Sequence, residues 1–146
     1  MKKADRAASI FKEGFNCAQS VFSVVAPELG LEAGTAVRIA TAFGGGMARS
    51  GATCGVVTGA FMAIGLKYGN SRAEDKEIKE RTYVIAQEFV RRFKERHGAI
   101  VCRDLLGCDI STHEGHERAK EQGLFDSVCE KLVKDAVELL EEMFSE

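Results

Sequence analysis

The chain has 146 residues, 45% hydrophobic and 29% charged, and 20 basic against 22 acidic side chains leave a formal net charge of −2. This excludes a disordered chain, which needs few apolar residues and a large net charge, and it argues against nucleic acid as the main partner, since phosphate tracking needs a basic stripe. The length predicts one domain over residues 1–146, large enough to bury about two-thirds of its unfolded surface without a disulfide staple.

Helical spacing runs through most of the sequence. Lys3 to Lys12 carries Ala7, Ile10 and Phe11 on one face. Gly14 breaks that helix, and Asn16 is an N-cap type that predicts the start of a second. The second helix presents Val21, Val24, Val25 and Leu29 and ends near Gly30, with Pro27 predicting a kink or an early stop. A third runs from Gly34 to Phe43 with Val37, Ile39, Ala40 and Phe43 apolar, and stops at Gly44-Gly45-Gly46, which favours positive φ over regular helix. A fourth runs from near Thr53 to Lys67, closed by Gly69-Asn70. The fifth and most polar spans Arg72 to Arg96, with Ile78, Ile85, Phe89 and Phe93 as its core stripe and Gly98 as its end.

Ile100 to Leu106 reads as a short apolar turn or helix stopped by Gly107, and Ser111 to Gln122 as a polar helix begun by Ser111, Thr112 and Glu114. The last helix spans Phe125 to Phe144, with Val128, Leu132, Val133, Ala136, Leu139, Leu140 and Met143 at a 3–4 spacing. No alternating strand pattern of useful length is present. The predicted fold is an all-α, single-domain helical bundle with short glycine-marked loops.

The longest uncharged run, Ser50 to Leu66, is 17 residues, short of the roughly 20 that span a bilayer, and it reads as a buried helix with its leading loop. Near the N-terminus, Ala7 to Phe11 is too short for a secretory apolar region of about 7–15 residues. No membrane insertion and a cytoplasmic location are therefore expected. Residues 44–69 hold eight of the fifteen glycines, and Gly51, Gly55 and Gly59 recur every fourth residue. Gly55 and Gly59 share one helix face, which predicts a glycine-rich central helix crossing where a second backbone approaches closely. The phosphate-loop pattern GxxxxGK[ST] is absent and no strand precedes the glycines, which argues against nucleotide binding.

Five cysteines remain: Cys17, Cys54, Cys102, Cys108 and Cys129. An odd number in a reducing compartment does not describe a structural disulfide framework. Taken singly, each reads most simply as a small buried hydrophobe. Their placement says more, because Cys17, Cys54, Cys102 and Cys129 all fall near predicted helix N-termini. There the free N–H groups and the helix dipole stabilise a thiolate, which is both nucleophile and metal ligand. Cys102 and Cys108 form the one close pair, brought together if Gly107 ends the helix between them. His113 and His116 form an HxxH pair without a third ligand nearby and read as solvated surface. His97 reads as a helix C-terminal cation.

The order of motifs resembles the C-GCAxxG-C-C family of redox-active proteins. The resemblance rests on Asn16-Cys17-Ala18, Phe43-Gly44-Gly45-Gly46-Met47, Cys54-Gly55-Val56-Val57-Thr58-Gly59 and Cys102-Arg103-Asp104-Leu105-Leu106-Gly107. The family's short motif is Cys-Gly-Ala-x-x-Gly, and Val56 stands where Ala is expected. The resemblance maps the family's four characteristic cysteines onto Cys17, Cys54, Cys102 and Cys108, with Cys129 a frequent fifth.

It implies a small cytoplasmic cysteine-based redox protein, its thiols gathered in one pocket, working by thiol–disulfide or electron-transfer chemistry. In that reading Cys54 is the central thiol, Cys17 its long-range partner, and Cys102 with Cys108 a local pair. The implied partner is a redox protein or a small-molecule electron donor or acceptor, with a homodimer left open. The alternative is a thiolate metal or iron–sulfur module, which four thiolates could ligate.

Overall fold

In the computed structural model, which describes residues 1–146, the chain forms eight α-helices and no strand: α1 Lys3–Lys12, α2 Cys17–Val25, α3 Ala33–Ala40, α4 Gly55–Tyr68, α5 Lys76–His97, α6 Cys102–Leu106, α7 His113–Glu121 and α8 Glu130–Phe144. The centre is α2, whose residues from Ala18 to Val25 are all buried. It packs against α1, α3, α4 and α8. One contiguous core runs through Val21, Phe22, Val56, Val57, Ile64, Phe89, Phe93, Leu139 and Leu140, joining both ends of the chain. No helix is long and apolar enough to cross a membrane.

Local chemistry sets the boundaries. Asn16 caps α2 through a full capping box: its side chain accepts from Gln19 N–H while the Gln19 side chain accepts from Asn16 N–H. Pro27 stops α2 at Val25, and a 3₁₀ turn over Ala26–Leu29 carries the chain to Gly30 in the left-handed region. The third helix ends at Ala40 and tightens to a 3₁₀ turn over Thr41–Phe43.

Two sequence expectations are corrected. The fifth helix begins at Lys76, after a turn containing the Arg72–Glu74 ion pair. Ile78 is also not core: it is 42% exposed, because only Phe89 and Phe93 of α5 are buried.

The glycines of α4 differ in surroundings. A Cβ at Gly59 would lie 2.9 Å from the Ala18 carbonyl oxygen and 3.2 Å from Ala18 Cα, and one at Gly55 would lie 2.9 Å from Ala18 N, whereas nothing lies within 4 Å of one at Gly65.

Candidate functional site

Helix starts place Cys17 and Cys54, and a long-range bridge places Cys102. Cys17 is the first helical residue of α2, fixed by the Asn16 cap. Cys54 is the N-cap of α4. The two sit close because Gly55 has no side chain: a Cβ there would be 3.1 Å from Cys17 Cβ. Cys102 is held beside Cys54 by a short antiparallel bridge between Thr53 and Val101. Across it, Cys54 N–H donates to Ile100 O at 2.8 Å and Cys102 N–H donates to Ala52 O at 2.6 Å. The bridge occupies Thr53, so helix α4 starts one residue beyond Cys54.

A left-handed turn forms the wall beside Cys102. Gly45, Gly46, Met47, Ala48 and Arg49 all have positive φ, between 52° and 70°. For the three non-glycine residues this is strained backbone, costing about 1–2 kcal/mol each. The turn is closed by Arg49 N–H to Gly44 O, Gly51 N–H to Gly45 O and Ala52 N–H to Gly46 O. Gly46 must lack a side chain, since a Cβ would come within 2.7 Å of Cys102 Cβ.

These elements enclose a cavity of about 340 Å³ lined by Cys17, Cys54, Cys102 and Cys129. Its other walls are apolar, among them Phe11, Leu105, Leu106, Ile110, Phe125 and Leu132. The polar side chains on it are Asn16, Arg49, His116 and Lys120, with no carboxylate.

Of the four cysteines the sequence selects as the site, Cys17, Cys54 and Cys102 line this cavity and Cys108 does not. The Cys108 thiol instead donates to the Gly115 carbonyl at 3.7 Å. All five cysteines are free thiols, Cys102 and Cys108 included.

The thiols are far from equivalent. Burial pushes Cys54 up to about 12, outweighing the pull of the Val56 and Val57 N–H groups at the start of α4. This reverses the expectation of a low-pKa thiol at Cys54: the helix N-terminus is present, but the sulfur is cut off from water. Burial likewise pushes Cys102 to about 11, with Cys129 and Cys108 nearby and Arg103 pulling the other way. Cys129 is the exception. Its neighbour Cys17 holds Cys129 below the ordinary thiol value, while Cys129 and burial lift Cys17 well above it.

Cys129 lies near the start of the last helix, as the spacing predicts, but within a π turn. It does not start a helix: the last helix is already under way at Leu124, and Cys129 ends a π turn over Phe125–Cys129 before α8. A π turn re-aims one side chain within a continuing helix and recurs at functional sites. The available signal was the inward spacing Phe125, Cys129, Leu132, Ala136. His116 was missed too. Its ring packs tilted against Phe125, centroids 5.4 Å apart, on the cavity wall, while His113 is exposed. Nowhere do three or more His, Cys, Asp or Glu side chains form a group that could hold a metal ion.

An all-helical chain with four thiols on one apolar cavity defines a cysteine-centred protein. Residues 15–143 match the family described as putative redox-active protein (C_GCAxxG_C_C), and the chain belongs to that family. No curated protein matches the chain, and no solved structure does.

Proposed function

We propose that this redox-active protein works by thiol–disulfide exchange, with Cys129 the attacking sulfur and Cys17 the resolving one. The observation that carries this is that Cys17 and Cys129 line one apolar cavity, where the neighbouring Cys17 holds the Cys129 thiol below its ordinary value. A thiolate is the nucleophile in exchange, and an attacking thiol works best with a pKa near ambient pH. Cys129 attacks one sulfur of a disulfide, forms a mixed disulfide and expels the first thiolate. Cys17 then loses its proton and attacks Cys129, forming Cys17–Cys129 and releasing the second thiolate. Two electrons pass to the acceptor, and the protons of Cys129 and Cys17 balance the two thiols released.

Cys54 and Cys102 stand by as neutral thiols, and the local Cys102–Cys108 pair has no part in the first exchange. A reducing compartment, the cytoplasm, suits a resting dithiol. All four cavity sulfurs come from one chain, so the chemistry needs no second copy. The metal-module alternative is less well supported, since no three potential ligands group around one point.

The test is to oxidise reduced protein in graded glutathione buffers without oxygen and map each disulfide by peptide mass. Cys17–Cys129 is the disulfide expected first. Cys129→Ser should lose exchange, and Cys17→Ser should stop at the mixed disulfide. A first disulfide elsewhere, or wild-type exchange by Cys129→Ser, overturns the assignment.

A further inference from the structure

We infer that the cysteine cavity takes a small anionic disulfide, its apolar body among the aromatic and aliphatic walls and its carboxylates on Arg49 and Lys120. This rests on the thiol-exchange reading and adds the substrate class.

Size comes first. A cavity of about 340 Å³ lies in the range of small-ligand sites, roughly 300–1,000 Å³. Its sulfurs are sunk: Cys129 is 6% exposed, Cys54 5% and Cys102 7%. A compact disulfide reaches them more readily than one held on a folded protein surface. The walls are next. Phe11, Leu105, Phe125 and Leu132 offer contact to an apolar or aromatic body, not to a chain of hydroxyls.

Charge then fixes the sign of the ligand. The chain as a whole is −2, yet the lining includes Arg49 and Lys120 and no carboxylate. Both are exposed side chains, and neither joins any of the chain's ten ion pairs. A cavity lined by one sign of charge between low-dielectric walls concentrates ligands of the opposite sign.

Arg49 is also positioned at a cost. It ends the left-handed turn at φ 61° and is tied back by its N–H to Gly44 O. Strained backbone of this kind persists where the surroundings over-determine it, commonly at ligand clamps. This holds the Arg49 backbone at the cavity rim, and a guanidinium there suits two-point binding of a carboxylate.

The reaction balances with this ligand as oxidant. The Cys129 thiolate attacks RS–SR to give Cys129–S–SR and RS⁻, and Cys17 displaces the second RS⁻. The protein dithiol becomes one disulfide, RS–SR becomes two RSH, and the two protons come from Cys129 and Cys17.

The probes are 5,5′-dithiobis(2-nitrobenzoate), an aromatic dicarboxylate disulfide, and neutral 4,4′-dithiodipyridine. Rates are measured on reduced protein by stopped flow, and their ratio is normalised to that for 2-mercaptoethanol. A normalised preference for the anionic probe is expected at low salt. It should fall about three- to tenfold in Arg49→Gln/Lys120→Gln and with added salt as screening sets in. Lys76→Gln/Lys79→Gln removes the same charge from α5, away from the cavity, and should keep the preference. Equal normalised rates, or a preference lost equally in both double variants, overturn the anionic substrate class while leaving exchange intact. Cys129→Ser reacting with both probes at wild-type rates overturns the exchange reading itself.

Discussion

Two glycines about one and two-thirds turns apart on α4 should respond to the same substitution with opposite signs. Gly→Ala in a helix gains about 1 kcal/mol from propensity, and that gain applies to both. At Gly65 the new methyl meets nothing within 4 Å, so Gly65→Ala should be stabilising by up to about 1 kcal/mol. At Gly59 the methyl would sit 2.9 Å from Ala18 O, 3.2 Å from Ala18 Cα and 3.3 Å from Val21 Cβ. The two nearest atoms are backbone, so relief requires α2 and α4 to separate. Overpacking of this kind costs about 1–3 kcal/mol.

Since propensity cancels between the variants, the difference in their stabilities is the clash itself, about 1–3 kcal/mol. For a chain of this size that is about 2–4 °C in Tm per kcal/mol. Urea denaturation of wild type, Gly59→Ala and Gly65→Ala, followed by circular dichroism, measures it directly. Equal stability of the two variants would refute the close approach of α4 to Ala18. It would also undermine the account of how Cys17 and Cys54 meet, because Gly55 faces the same stretch of α2.

Iodoacetamide labelling near neutral pH, read by peptide mass, should modify Cys129 well before Cys54, whose thiol is pushed to about 12. Cys17→Ala removes the neighbour that lowers Cys129, so the labelling midpoint of Cys129 should move to higher pH; an unmoved midpoint would contradict that coupling. Ala48→Gly relieves a residue at φ 52°, which costs about 1–2 kcal/mol in a non-glycine residue. This substitution should therefore be neutral to about 1 kcal/mol stabilising in urea melts, against glycine's usual destabilising effect.

His97 is half-buried against Phe93, and that burial holds it below the ordinary 6.5, with Asp135 Oδ2 at 3.0 Å only partly offsetting it. The folded state thus prefers neutral His97 and the unfolded chain takes the proton first. Stability should fall as pH drops through about 6.5 toward the lower folded value, and His97→Gln should flatten that slope in urea melts across pH 5–8.

The sequence by itself determined the helices and what ends them. Asn16, Pro27, Gly98 and Gly107 act on the few residues beside them, so their effects were legible without the fold. The stripe of α8 was equally plain, because helical spacing alone puts Leu132, Val133, Ala136, Leu139 and Leu140 on one buried face. The family motifs, too, marked Cys17, Cys54 and Cys102 before any geometry was known.

What only the tertiary structure decided was the relation between distant segments. That Cys102 lies beside Cys54 depends on a bridge between residues 53 and 101, which no local pattern announces. The thiol order depended on it as well. A helix N-terminus is readable in sequence and favours Cys54. Desolvation is set by every neighbour at once, and it pushes Cys54 up while leaving Cys129, beside Cys17, the lowered thiol. His116 looked like solvated surface because helix α7 is polar. Only its docking over Phe125 and the strained turn ending at Arg49 turned that surface into the wall of a cavity, since burial and charge at a site are sums over the whole fold.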